Sequence, residues 1–250
     1  MLAAAVLLGA ALEAQISLSD LWIRFPDGTI QTTAAHNCFN PADPADEMIR
    51  VGGVCIDKYE ASVWSGPDGG IQYGVSVDDY PCSNNGQDCF GLIYARSVPG
   101  VTPSSRITWF QSQQALANSG KRLPTSAEWQ MAVAGTPDDS NCNTSTNAVS
   151  NTGVLGNCVS DWGAFDMVGN LWEWVADWGD NAVACTNWSS TYGGDFSCVG
   201  LGEAETNSHL PGALFRGGHF GNGAAAGPFA VGGFFQPSDS GSDVGFRGAR

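Results

Sequence analysis

The chain has no run of eighteen apolar residues, only two lysines, three histidines and no cluster of basic side chains. The first absence leaves no segment long enough to cross a bilayer as a helix. The second leaves no basic face: the arginines are scattered among 25 acidic residues and the formal charge is −15, so a phosphate backbone is repelled and nucleic acid is not expected as a partner. An acidic surface of this kind also serves simply to keep an exported protein soluble. No G-x-S-x-G elbow, G-x-x-x-x-G-K loop or H-E-x-x-H pair occurs, which removes the common nucleophile, phosphate and zinc-hydrolase arrangements. His36, His209 and His219 lack the close spacing that ligation from a helix needs. The carboxylate pairs Asp78-Asp79 and Asp138-Asp139 stand in polar sequence, where solvation and ordinary titration are expected. No cofactor and no metal site are expected from these residues.

What the chain does have is 33 glycines, 12 prolines and 9 tryptophans in 250 residues, the composition of a loop-rich fold pinned by large aromatics. Eight cysteines form an even set without any C-x-x-C pair, which points to disulfides and an oxidising compartment. Their order suggests sequential clips, Cys38–Cys55, Cys82–Cys89, Cys142–Cys158 and Cys185–Cys198. Residues 1–15 are apolar and rich in small side chains, as in the core and cleavage zone of a signal peptide, although a basic leader is missing. Residues 16–50 read as a short attachment segment. Within it Pro26-Asp27-Gly28 separates two strand-like runs, a hairpin signal, and FPDGT with QTTAA resembles an element of tail-fibre-like and exported bacterial proteins. The main domain is expected over 51–250, entered by a strand alternating through Val54, Ile56, Tyr59 and Val63.

Two helix starts are legible. Thr108 with Gln111 and Thr125 with Glu128 have the capping-box spacing, and Gly120 and Gly135 are the corresponding stops. The polar stretch between Gly135 and Cys158 cannot bury enough apolar area to pack as an element and is expected as a surface loop held by a disulfide.

Four motifs then occur in one order: KRLPTSAEWQMAVAG from Lys121, DMVGNLWEWVADW from Asp166, FRGGHF from Phe215 and GFRGAR from Gly245. Physically, Trp172 and Trp174 supply a large anchored face, and the guanidinium forks of Arg216 and Arg247, flanked by glycines, are placed to hold carboxylates such as Glu173 or Glu128. Together the motifs resemble the formylglycine-generating-enzyme family of the C-type lectin fold over residues 51–250. The resemblance implies an α+β, C-type-lectin-like domain with small antiparallel sheets, two helices and long loops. It does not carry the family's oxidase activity with it. Those enzymes place two copper-binding cysteines between RGG and GFR, whereas here the last cysteine is Cys198.

Residues 219–244 mix Gly, Ala, Phe and Asp with no period of 2 or 3.6, so packing does not dictate them. The segment resembles the variable region of retroelement-diversified proteins, in which a template is mutated at AAC codons. Against that template the substituted positions are His219, Phe220, Gly221, Ala225, Gly232, Gly233, Phe234, Phe235, Asp239, Gly241 and Asp243, while Gly223, Gly227, Phe229, Ala230, Pro237, Ser238 and Ser240 are retained. Randomising the first two bases of AAC never yields Lys, Glu, Met or Trp. None of these occurs in 219–244, where composition would give about two.

The sequence therefore predicts an exported, non-enzymatic protein of the cell surface, periplasm, extracellular space or a virion. Its scaffold of Trp172, Trp174, Arg216 and Arg247 would present the substituted positions to a protein or cell-surface ligand, with Phe220, Phe234 and Phe235 as exposed anchors and Asp239 and Asp243 at the rim. The competing readings are an enzyme of the same fold with unrecognised metal ligands, and a structural envelope or tail-fibre component. Oligomeric state stays open.

Overall fold

The computed structural model describes residues 38–40, 43–200 and 210–250, with the backbone of three short strands before them. The expected signal segment lies outside the described residues up to Ala14, as do His36 and His209. The chain divides into two units, Met1–Asn37 and Cys38–Arg250. In the first, β1 (Gln15–Ser17), β2 (Trp22–Arg24) and β3 (Ile30–Gln31) form an antiparallel sheet with β2 between the other two, while the expected turn at Pro26-Asp27-Gly28 lies outside the described residues.

The second unit begins at Cys38, earlier than the boundary expected at residue 51. The acids of this polar stretch are bound to buried cations of the main domain. Asp43 takes both forks of Arg96 at 2.6 and 2.9 Å, and Lys121 Nζ sits 2.5 Å from Asp46 and 2.7 Å from Asp57. Buried charges persist only when paired in this way.

The strand expected from Val54 is two strands. β4 (Met48–Val51) pairs with β5 (Val54–Asp57), and β6 (Ser62–Gly66) lies between β7 (Gly69–Tyr73) and β8 (Tyr94–Arg96). Helices α1 (Trp109–Asn118) and α2 (Ser126–Ala132) start at Thr108 and Thr125 with both halves of each capping box formed. A six-stranded sheet follows, built from β9 (Trp172–Asp180), β10 (Ala184–Asn187), β11 (Phe196–Gly200), β12 (Pro211–Arg216), β13 (Val231–Phe235) and β14 (Val244–Phe246) in the order β10-β11-β13-β12-β9-β14. Its β11·β13 and β14·β9 pairs are parallel and the rest antiparallel. The C-terminus then returns to the domain's start, where Cys55 and Arg250 exchange backbone hydrogen bonds at 2.8 and 2.9 Å.

All eight cysteines pair in the sequential order expected. Trp174, Phe215, Phe246, Ile107 and Leu116 fill one core cluster and Trp129, Met167, Val175 and Ile56 a second.

Candidate functional site

Arg247 is fully buried and donates to Glu173 from Nε at 2.6 Å and Nη2 at 2.5 Å, with further bonds to the Asp57 and Phe165 carbonyls. Glu173 also accepts from Trp129 Nε1 at 2.7 Å. Arg216, expected to hold a carboxylate as well, does not. It stacks on Trp129 and donates to Ser126, Gln130 and the Pro228 and Ala230 carbonyls. The reason is position: at the end of β12 its fork faces the first turn of α2, whose uncharged Ser126 and Gln130 are the groups within reach.

Immediately after Arg216, Gly217 and Gly218 adopt φ of +93° and +84°. A side chain at Gly217 would meet the Met167 carbonyl at 2.7 Å, so only glycine makes this turn out of the sheet. The exiting loop is pinched shut where Gly227 N–H donates to Gly217 O, and it is held from outside by backbone bonds. Phe220 N–H donates to Asn170 O at 3.0 Å, Asn147 N–H to Phe220 O at 3.1 Å, and Gly223 N–H to Thr144 O at 2.7 Å. The loop after β13 is held the same way: Pro237, Gly241 and Asp243 carbonyls accept from the backbones of Trp109, Arg106 and Trp172 at 3.1, 2.8 and 2.8 Å. Backbone bonds of this kind do not depend on side-chain identity.

The two loops meet. His219 Nε2 lies 3.8 Å from Asp243 Oδ2, and the Phe220 ring stands edge-on to the imidazole at 5.0 Å. Burial holds the His219 pKa below its ordinary value against the opposing pull of Asp243. Gly221 is exposed, and His219, Phe220, Ala225, Asp239, Gly241 and Asp243 are half-buried.

Four expected surface positions differ. Gly232 and Gly233 are buried in β13. A methyl group on Gly232 would stand 2.3 Å from the Phe215 ring, and one on Gly233 would stand 2.8 Å from Leu214 Cδ2. Phe234 and Phe235 are half-buried rather than exposed: Phe234 packs on Phe196 and Phe215, and Phe235 on Trp174 and Phe215. The missing period of two misled here because β13 has sheet neighbours on both sides, where glycine admits the Phe215 ring. Asp239 has a structural task too, since its carboxylate accepts the Gln236 N–H at 2.8 Å and closes that turn.

Sequence reasoning missed two aromatic groups beside these loops. Trp109, Phe110 and Trp178 stack edge to face near Pro237, and Trp188 and Tyr192 flank Phe229. Trp178, Trp188 and Tyr192 are each more than two-fifths exposed. They stand singly in the sequence without any shared period, so no local signal unites them.

The sulfatase-modifying factor enzyme 1-like domain matches residues 20–250 of the chain. The chain belongs to that family. Among solved structures it is similar to the Major Tropism Determinant P3c variant, at 25% identity and a TM-score of 0.55 over 89% of this chain and 58% of that one. The I1 variant gives 25% identity and a TM-score of 0.51 over 81% of this chain and 51% of that one. The U1 variant gives 24% and 0.55 over 89% and 58%. The chain thus spans between half and three-fifths of the length of these determinants. No curated protein sequence matches it. The α+β, C-type-lectin-like architecture expected from the motifs is the one observed, and the determinants that share it are solved as several sequence variants.

The copper chemistry of formylglycine-generating enzymes requires two cysteine thiolates between RGG and GFR. Residues 219–244 contain no cysteine and all eight in the chain are held in disulfides, so the residues present do not fit that metal.

Proposed function

We propose that this chain is a ligand-binding variable protein whose recognition surface is built from His219, Phe220, Gly221, Ala225, Asp239, Gly241 and Asp243. Phe234 and Phe235 form its half-buried floor, and Gly232 and Gly233 support it from within the sheet. The observation that carries this reading is the backbone anchoring of both loops: side chains can be exchanged on a course fixed by bonds to residues 106, 109, 144, 147, 170 and 172. The named variants of the Major Tropism Determinants, similar in fold, support it. A protein or cell-surface ligand suits a surface of this kind, in which aromatic rings supply area and carboxylates the rim charge.

On this reading the protein is not an oxidase, and copper-loaded protein leaves a cysteine-containing sulfatase peptide unchanged. Turnover of that peptide contradicts the reading. Four disulfides, together with the finding that no helix among the described residues is long and apolar enough to cross a membrane, support export to an oxidising compartment.

Sequencing the neighbouring DNA tests the diversification directly. A near-copy of the codons for residues 215–247, with adenines at the surface positions and a reverse-transcriptase gene beside it, is the expected result. A locus with neither contradicts it.

A further inference from the structure

Lys121 follows α1, and its ammonium lies wholly inside the main domain between two carboxylates that are buried as well. Asp46, from the stretch before β4, presents Oδ1 at 2.5 Å from Nζ, and Asp57, at the end of β5, presents Oδ1 at 2.7 Å. The nearby Arg96 is held by Asp43, so two acids share one base. Ionised together they would leave a negative charge uncompensated in the interior, which burial opposes. Asp57 is the acid that takes up the balancing proton: burial and the repulsion of Asp46 raise its carboxyl above the ordinary value against the pull of Lys121.

The two acids are not held alike. Asp46 is polarised by further donors, since Oδ1 accepts the Ser97 N–H at 2.7 Å and Oδ2 accepts from Asn40 Nδ2 at 3.3 Å. Asp57 Oδ2 accepts the Gly248 N–H at 2.7 Å. The Gly248 backbone seals that side of the trio, for a side chain there would meet Asp57 Oδ2, Leu116 Cδ2 and Lys121 Cδ at 2.7, 2.7 and 2.9 Å. An amine, a polarised carboxyl and a protonated acid are thus fixed at hydrogen-bond distance in a dry interior, the setting in which an intramolecular condensation is favoured. We propose that Lys121 and Asp46 condense to an intramolecular amide, with Asp57 passing the protons. Asp57 gives its proton to Asp46 and takes one from Nζ, and the neutral amine then attacks Asp46 Cγ while the Ser97 N–H steadies the oxygen that gains charge. A second Nζ proton travels through Asp57 to the leaving oxygen. The Nζ–Cγ bond forms, a Cγ–O bond breaks and one water departs. Nothing is oxidised or reduced, and Asp57 ends protonated as it began. The product replaces two buried charges by a neutral amide and so removes their desolvation penalty. A cavity of about 370 Å³ lined by Asn40, Asp43, Asp46, Asn118 and Ser119 receives the water. The bond fastens the stretch that follows the first unit to the body of the domain, whether or not the distant loops read a ligand.

The test is mass spectrometry of the full chain after unfolding, reduction and digestion with trypsin. The expected result is a branched peptide that joins Asp46 to Lys121 and weighs one water less than its two linear parts together. Lys121→Arg keeps the positive charge but cannot condense. Asp57→Asn keeps an acceptor for the Gly248 N–H but cannot pass protons. Both variants should yield only linear peptides from protein whose fold circular dichroism verifies. Linear peptides in place of the branched one in the parent overturn the proposal, whatever the variants do. A branch through Asp57, or a folded Asp57→Asn variant joined as fully as the parent, overturns it equally.

Discussion

Arg247 and Glu173 neutralise each other in the core, but Glu60 and Asp166 lie close enough to feel the same charges. Removing the cation strands a carboxylate without solvent, so Arg247→Ala should cost about 3–5 kcal/mol in denaturant unfolding, and lysine should rescue little because it lacks the fork. Asp166 supplies a pH test. Burial raises its carboxyl to about 6, and the folded state therefore holds a proton that the unfolded state releases above about 4. Stability from this group is fully present below the unfolded pKa and is lost as pH rises through about 6. Asp166 sits at φ +58°, a conformation asparagine tolerates, and asparagine can still accept the Gly153 N–H. Asp166→Asn should flatten the pH dependence of Tm between about 4 and 6 and raise Tm at pH 7.5; an unchanged profile counts against the buried-acid account. The glycines separate in the same way. Gly221→Ala should change stability by no more than about 0.5 kcal/mol, whereas Gly232→Ala forces the Phe215 ring aside and should cost about 1–3 kcal/mol.

At the scale of elements, legibility followed range. Both helices could be read from their caps, because Thr108 with Gln111 and Thr125 with Glu128 interact within one turn. Thr125→Ala should cost about 1 kcal/mol. The disulfides could be read from order because each clip is local, spanning between 7 and 17 residues. Sheet order could not, since β13 between β11 and β12, and the parallel pairing of β14 with β9, depend on contacts far apart in sequence. The segment 219–244 was legible where it is loop and misleading where it is strand: 219–225 and 238–243 are exposed or half-buried, but 232–235 lie in β13 against the core. Phe234→Ala and Phe235→Ala should accordingly each lower stability by roughly 1–3 kcal/mol, less than a fully buried phenylalanine and more than a surface one. Chemical denaturation of the two variants decides between packing and pure display.

The whole molecule is an acidic, disulfide-clipped chain with a formal charge of −15, in which buried tryptophans and buried ion pairs hold the main domain together. Thiol titration of the denatured, non-reduced protein should find no reactive cysteine; several free thiols would remove the clips and the support they give to export. Legibility at this scale came from motif order, because the RGG and GFR ends bracket residues 219–244 whatever these contain. The central claim is that fold and surface are separable. Its most direct measurement is the melting behaviour of a library randomised together at Phe220, Gly221, Ala225, Gly241 and Asp243, the positions whose side chains close no turn among the described residues, unlike His219, whose Nδ1 accepts the Gly221 N–H. The account predicts that most members fold cooperatively with Tm values within a few degrees of the parent, in line with surface changes of about 0.5 kcal/mol each. A library in which most members fail to fold would contradict it.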